Sequence, residues 1–200
     1  MAAELEQIGG TYASSALVGN AYRIAAAAHG RDGVKDLEHP LSVARKLAEH
    51  SYDEEVVAAA LLHDTVEDGA IGLGELRESF GGRVCALVDA LTEDGTIERW
   101  EERKAAHREQ VAAAGHDAAA IYAADKLAGA GALRRAYAQQ GERASERLTA
   151  PTIDARVRAW DADYEMLERV EPRIGFLPEL RAEVAALKAR RDAAGTAASR

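Results

Sequence analysis

The 200-residue sequence predicts an all-α protein, a multi-helix bundle, and three observations carry that prediction. Aromatic residues make up only 5% of the chain while alanine is abundant, which favours close-packed helices over strands built on aromatic and β-branched side chains. No stretch of useful length alternates apolar and polar residues as a half-buried strand does. Helix start and stop signals punctuate the chain from end to end. The 48% hydrophobic share is enough for a packed core, and the length suits one domain over 1–190 followed by an unstructured tail over 191–200.

The elements follow in order. A first helix is read from Tyr12 to His29. A second begins sharply at Pro40, a residue that suits the first helical position because its missing N–H needs no partner there. A third begins behind Asp53, a good N-cap with Glu54 and Glu55 in the first turn, and runs to Asp68, where Gly69 offers a left-handed stop. Short helices are expected over Leu73–Phe80 and Arg83–Leu91, and longer ones over Glu98–Ala114 and Asp117–Leu127. A hinge over Gly141–Pro151 precedes two last helices, Thr152–Val170 and Leu177–Arg190.

Net charge is −9, so the chain lacks the basic face that sequence-independent nucleic-acid binding requires, and no nucleic-acid partner is expected. An anionic substrate must meet a local group of cations instead. No run of about 18 apolar residues marks a membrane span. The N-terminus has no secretory pattern, and the single cysteine, Cys85, permits no intrachain disulfide, so a cytoplasmic protein is expected. No helix shows an apolar seam that would specify a dimer.

Chemistry concentrates in a few residues. His39 precedes Pro40, so it stands at a helix N-terminus, where the dipole disfavours imidazolium and leaves the neutral, metal-binding ring. On the third helix His63 and Glu67 are four apart, as are Asp64 and Asp68, which gathers one imidazole and three carboxylates within two turns. Carboxylates at a helix C-terminus oppose the dipole, and a local rule broken without compensation marks function. Asp125 ends the apolar run from Ala118 to Ala124 and is tolerable there as a metal ligand or in an ion pair. Nitrogen and oxygen ligands of these types suit Mn²⁺, Fe²⁺ or Zn²⁺, and with acids beside them they point to metal-assisted hydrolysis of a phosphate ester. Arg31, Lys35, Lys126, Arg134 and Arg135 are the candidate cations for a polyphosphate. The remaining histidines, His107 among them, are read as structural or surface side chains.

The order His39 … His63-Asp64 … Asp125, with Glu67-Asp68 following the HD pair, resembles the HD superfamily of metal-dependent phosphohydrolases. The stretch from His39 to Asp94, and "LLHDTVED" within it, is similar to the hydrolase domain of RelA/SpoT-type proteins and the small alarmone hydrolases. That resemblance implies an all-helical HD domain that hydrolyses the 3′-pyrophosphate of (p)ppGpp with Mn²⁺. It implies His39, His63, Asp64 and Asp125 as metal ligands, Glu67 and Asp68 as the residues that position and activate water, and Arg31 as the base-contacting arginine. Three features differ from the family pattern: the segment before His39 is short and lacks Tyr, Gly129 stands where the family has an Asn, and Gly129-Ala130-Gly131 replaces better helix formers. The alternatives are an HD phosphohydrolase on another nucleotide, of the nucleotidase or NADPH-phosphatase type, and a catalytically weak nucleotide sensor.

Overall fold

The computed structural model describes residues 2–30 and 37–198. Among them the regular structure is helical throughout, in the order α1 (Ala2–Ile8), α2 (Gly10–Ala13), α3 (Ala16–Gly30), α4 (Glu38–Glu49), α5 (Glu54–Leu62), α6 (Leu73–Leu91), α7 (Trp100–Ala114), α8 (His116–Gln140), a 3₁₀ turn (Gly141–Arg147), α9 (Ile153–Val170) and α10 (Leu177–Ala198). No described helix is long and apolar enough to cross a membrane.

The centre of the bundle is α5. Its first turn is closed by Asp53, whose Oδ1 accepts from the backbone N–H groups of Glu55 and Val56, each at 3.1 Å. Every residue from Val56 to Leu62 is buried, so the helix has no solvent face and needs neighbours on all sides. It finds them in α3, α4 and α6. The second central piece is the start of α8, where Ala118 to Ala124 are all buried. Small alanine side chains let α4 and α10 pack close against it. A smaller cluster of Trp100, Ala150, Ala155 and Ala159 joins α7 to α9.

Several boundaries differ from the sequence expectation, each for a local reason. The expected first helix is divided at Ser14-Ser15, where the Ser15 hydroxyl accepts from Val18 N–H at 3.2 Å to start α3 anew, and an unexpected α1 precedes it, set off from α2 by Gly9 at φ 130°. Pro40 lies inside the first turn of α4 rather than at its first position, which the helix tolerates because all four leading N–H groups lack intrahelical partners. The third helix stops at Leu62, not Asp68. Thr65 turns its hydroxyl onto the Leu62 carbonyl (2.6 Å), and residues 63–69 form a chain of turns ending at Gly69, φ 69°. The expected break between two short helices survives as a kink in α6 at Gly81 (φ 86°, ψ 173°). Helix α8 runs well past Leu127, through Gly129-Ala130-Gly131, to Gln140. Helix α10 continues to Ala198, so the expected tail starts as helix; alanines at 193, 194, 197 and 198 are the strongest helix formers available.

Candidate metal centre

Three helices bring three ligand-type side chains to one point. His39 comes from the first turn of α4, His63 from the C-cap of α5, and Asp125 from the buried start of α8. One ligand atom from each lies within 4.8 Å of the others. His39 Nε2 is 3.0 Å from Asp125 Oδ1, and His63 Nε2 is 3.9 Å from the same oxygen. The imidazole centroids are 5.4 Å apart and tilted at 55°. Asp64, the fourth expected ligand, stands at the edge: its Oδ1 is 3.3 Å from His63 Nε2, but it falls outside the tight group of three.

The ring of His63 is oriented by the helix it ends. Its Nδ1 donates to the Ala60 carbonyl at 2.8 Å, which leaves Nε2 as the atom with the free lone pair. That Nε2 is buried and has no hydrogen-bond partner. A buried polar atom without a partner is costly unless something else binds it. The donor set around it, two imidazole nitrogens and a carboxylate, is what a divalent cation takes, so the residues fit a metal. Burial alone would raise the Asp125 carboxyl; the neighbouring Lys126, His39 and His63 offset this and hold it well below the usual carboxylate range. Burial likewise disfavours a charged His39, but its bond to the Asp125 carboxylate, together with the charges of Asp125 and Asp64, outweighs this and draws the ring above its ordinary value.

Around this point the expected residues divide. Glu67 stands in the turn beyond the HD pair. Solvent reaches it, yet desolvation and the nearby charges of Glu93 and Asp64 raise its carboxyl above the ordinary range. Asp68 is exposed and its N–H donates to the Asp64 carbonyl at 2.9 Å. Lys126 is buried and bonds Asp125 Oδ2 at 2.6 Å, with its ammonium 4.1 Å from the Tyr122 ring centroid. Sequence neighbours on a helix do not normally face each other, but the long lysine stem folds back to reach. Lys126 is thus a counter-ion to the candidate ligand rather than a free substrate contact. Arg134 is not brought to the centre: it lies about 13 Å along α8 from Asp125, at about 1.5 Å per residue, and spends its guanidinium on Glu183 at 2.5 and 3.2 Å. Arg31 and Lys35 lie outside the described residues.

One group escaped the sequence reading. Glu93, just past the end of α6, has a side chain only 8% exposed and gathers two cations and an imidazole from α7: Lys104, Arg103 Nε (3.0 Å) and the His107 ring, with Nδ1 at 3.5 Å. Burial alone would raise Glu93; the contacts from His107 and Lys104 reverse this and place it far below its ordinary value. Its backbone N–H lies on the side of the Glu67 carboxylate and slightly favours that group's charged form. His107 is therefore buried, not solvated, with its ring edge-on to Tyr122 at 5.1 Å. The signal was present in the sequence as Arg103, Lys104 and His107 on one short stretch of α7; their acidic partner came from a separate element and had no local mark.

A helical bundle that aims two imidazoles and a carboxylate at one point offers a site that could hold a divalent cation. A model of the HD domain family matches residues 16–150, and the chain belongs to that family. Among curated proteins it is 42% identical over 101 residues to the guanosine-3′,5′-bis(diphosphate) 3′-pyrophosphohydrolase of Aquifex aeolicus, covering 48% of this chain and 14% of that one. It is 40% identical over 98 residues to the human MESH1 enzyme of the same description, covering 48% and 54%. The matched segment thus spans about half the length of MESH1 and far less of the Aquifex protein. Two solved structures superpose with a TM-score of 0.66. One, from Listeria monocytogenes EGD-e, is 32% identical over 74% of this chain and 94% of its own. The other, a metazoan orthologue of SpoT described as hydrolysing ppGpp, is 26% identical over 88% and 96%.

Proposed function

We propose that the chain is a metal-dependent phosphohydrolase that removes the 3′-pyrophosphate of a (p)ppGpp-type guanosine nucleotide, with Mn²⁺ as its ion. The observation that carries the reading is the buried, partnerless Nε2 of His63, set against His39 and Asp125 at the meeting of three helices. The relatives named as 3′-pyrophosphohydrolases supply the substrate class.

His39, His63 and Asp125 would hold the ion, with Asp64 completing the set from the edge. A divalent cation there lowers the pKa of its water and offsets charge on phosphorus. The residues of the chain do the rest. The Ala60 carbonyl fixes the His63 tautomer so that Nε2 presents its lone pair. Lys126 holds Asp125 Oδ2, leaving Oδ1 turned toward both imidazoles. Of the two acids after the HD pair, Glu67 is equipped to accept a proton from the attacking water: desolvation and the charges of Glu93 and Asp64 raise its carboxyl above the ordinary range. Asp68, exposed beside it, orients water from the rim.

A second reading within the same chemistry has one observation in its favour. At Gly129 there is no side chain to contact substrate, and the space a Cβ would enter abuts Trp160 at 3.6 Å. A site without the family's side chain at this position favours another nucleotide phosphate. A Mn²⁺-loaded assay across ppGpp, NADPH and nucleoside monophosphates separates the two. Release of pyrophosphate from ppGpp at the highest kcat/KM is the expected result; turnover of NADPH or a monophosphate alone moves the assignment to the second reading.

A further inference from the structure

Asp163 on α9 is 3% exposed, a carboxylate in the core and beyond the residues that match the HD family model. A buried carboxylate is costly unless its partners are placed for it. Its Oδ1 accepts from the Tyr122 hydroxyl at 2.9 Å and from Arg108 Nη1 at 3.3 Å. Tyr122 is one turn before Lys126 on α8, and its ring lies under the Lys126 ammonium, 4.1 Å from centroid to Nζ. The same ammonium bonds Asp125 Oδ2 at 2.6 Å. A continuous path of contacts therefore leads from α9 to the candidate metal ligand: Asp163, Tyr122, Lys126, Asp125.

The charges follow the same path. Asp163 is bonded to the Tyr122 hydroxyl and the Lys126 ammonium stands over the same ring, with the Arg108 guanidinium also against Asp163. A lone Lys126–Asp125 pair would neutralise Asp125 in a closed contact and set an ammonium against an incoming cation with nothing to balance it. A second carboxylate divides that ammonium's field.

We propose that Asp163 is a positioning residue for the metal centre, which shares Lys126 with Asp125 across the Tyr122 ring and so keeps the Asp125 carboxylate available to a cation. The proposal deepens the metal reading above and rests on it. It also makes α9 a working part of the centre rather than a cover for the bundle.

The test is calorimetric titration of Mn²⁺ into the full chain and its variants, with folding followed by circular dichroism. Asp163→Asn is expected to weaken Mn²⁺ binding about tenfold, the scale of loss when a residue supporting a metal ligand is removed. Tyr122→Phe keeps the ring under Lys126 but loses the hydroxyl bond, so a smaller loss in the same direction is expected. A merely structural carboxylate would lower stability without touching affinity. The decisive arm is Lys126→Met: in that background Asp163→Asn should change affinity less than about twofold, because the shared ammonium is gone. Wild-type affinity in Asp163→Asn, or an undiminished tenfold loss in the Lys126→Met background, overturns the proposal. If Asp163→Asn does not fold, folded Tyr122→Phe with unchanged affinity overturns it equally. A wild-type chain that takes up no Mn²⁺ overturns the metal reading itself, a result distinct from either.

Discussion

His63 is the residue on which most of the chemistry converges, because one ring nitrogen is spent on the Ala60 carbonyl and the other waits buried for a partner. Replacing it with alanine should abolish tight Mn²⁺ binding while the fold persists; elemental analysis of the purified variant checks both when paired with circular dichroism. Glu67 offers a different kind of test. Glu67→Gln should retain the metal and lose on the order of 10²-fold in kcat, as for a general base. Since its carboxyl is raised, the base form is lost as pH falls, and the acid limb of the rate profile should lie above the usual carboxylate value of about 4.3. The stability sign is opposite: a raised carboxyl means the charged form is disfavoured in the fold, so Glu67→Gln should slightly raise the Tm of the metal-free protein above pH 5. At this scale the sequence was legible where identity alone carries meaning. That His39, His63 and Asp125 come together was legible from their order along the chain, His39 … His63-Asp64 … Asp125, rather than from any one of them. The role of Lys126, the burial of His107 and the reach of Glu93 were not, because each depends on a partner from another helix.

Among elements, helix starts were well marked and helix ends poorly so. Asp53 caps as the sequence suggests, and Thr152, read as the first residue of its helix, stands instead as the N-cap of α9, accepting from Ala155 N–H at 3.0 Å. Thr152→Ala should therefore cost about 1 kcal/mol by urea denaturation. The early end of α5 went unseen, since a threonine hydroxyl bonding back to Leu62 leaves no pattern in hydropathy. The kink in α6 was legible because adjacent glycines announce it, and Gly81 has a conformation that L side chains rarely adopt. Gly81→Ala should lower stability by about 1–2 kcal/mol, measurable as a shift in denaturation midpoint with an unchanged slope. The segment between α6 and α7 carries the Glu93 cluster, and there the effect has a pH signature. With its carboxyl held far below normal, Glu93 contributes stability that is present above the unfolded value of about 4.3 and is lost as pH falls below it. Glu93→Gln should thus destabilise by about 3 kcal/mol at pH 7, as when one partner of a buried charge cluster is removed, with the gap to wild type closing below pH 4.

For the whole molecule, a ligand set drawn from three helices makes the fold and the ion mutually dependent. Mn²⁺ at about 100 times its Kd should stabilise the protein by about 2.7 kcal/mol, visible as a rise in Tm that chelation reverses. The all-helical architecture was legible from composition and capping signals; the way α9 is wired into the centre was not, because Asp163, Tyr122 and Arg108 come together only in three dimensions.

The burial of α5 on every side has one more consequence. His63 is carried at the end of the most enclosed helix in the molecule, so its imidazole cannot swing away without disturbing Val56 to Leu62. Cation uptake should then need almost no ordering of the polypeptide, and its heat signature should be dominated by shed hydration water. Amide protons along that helix should exchange with solvent only when the entire protein opens, whether or not the ion is bound.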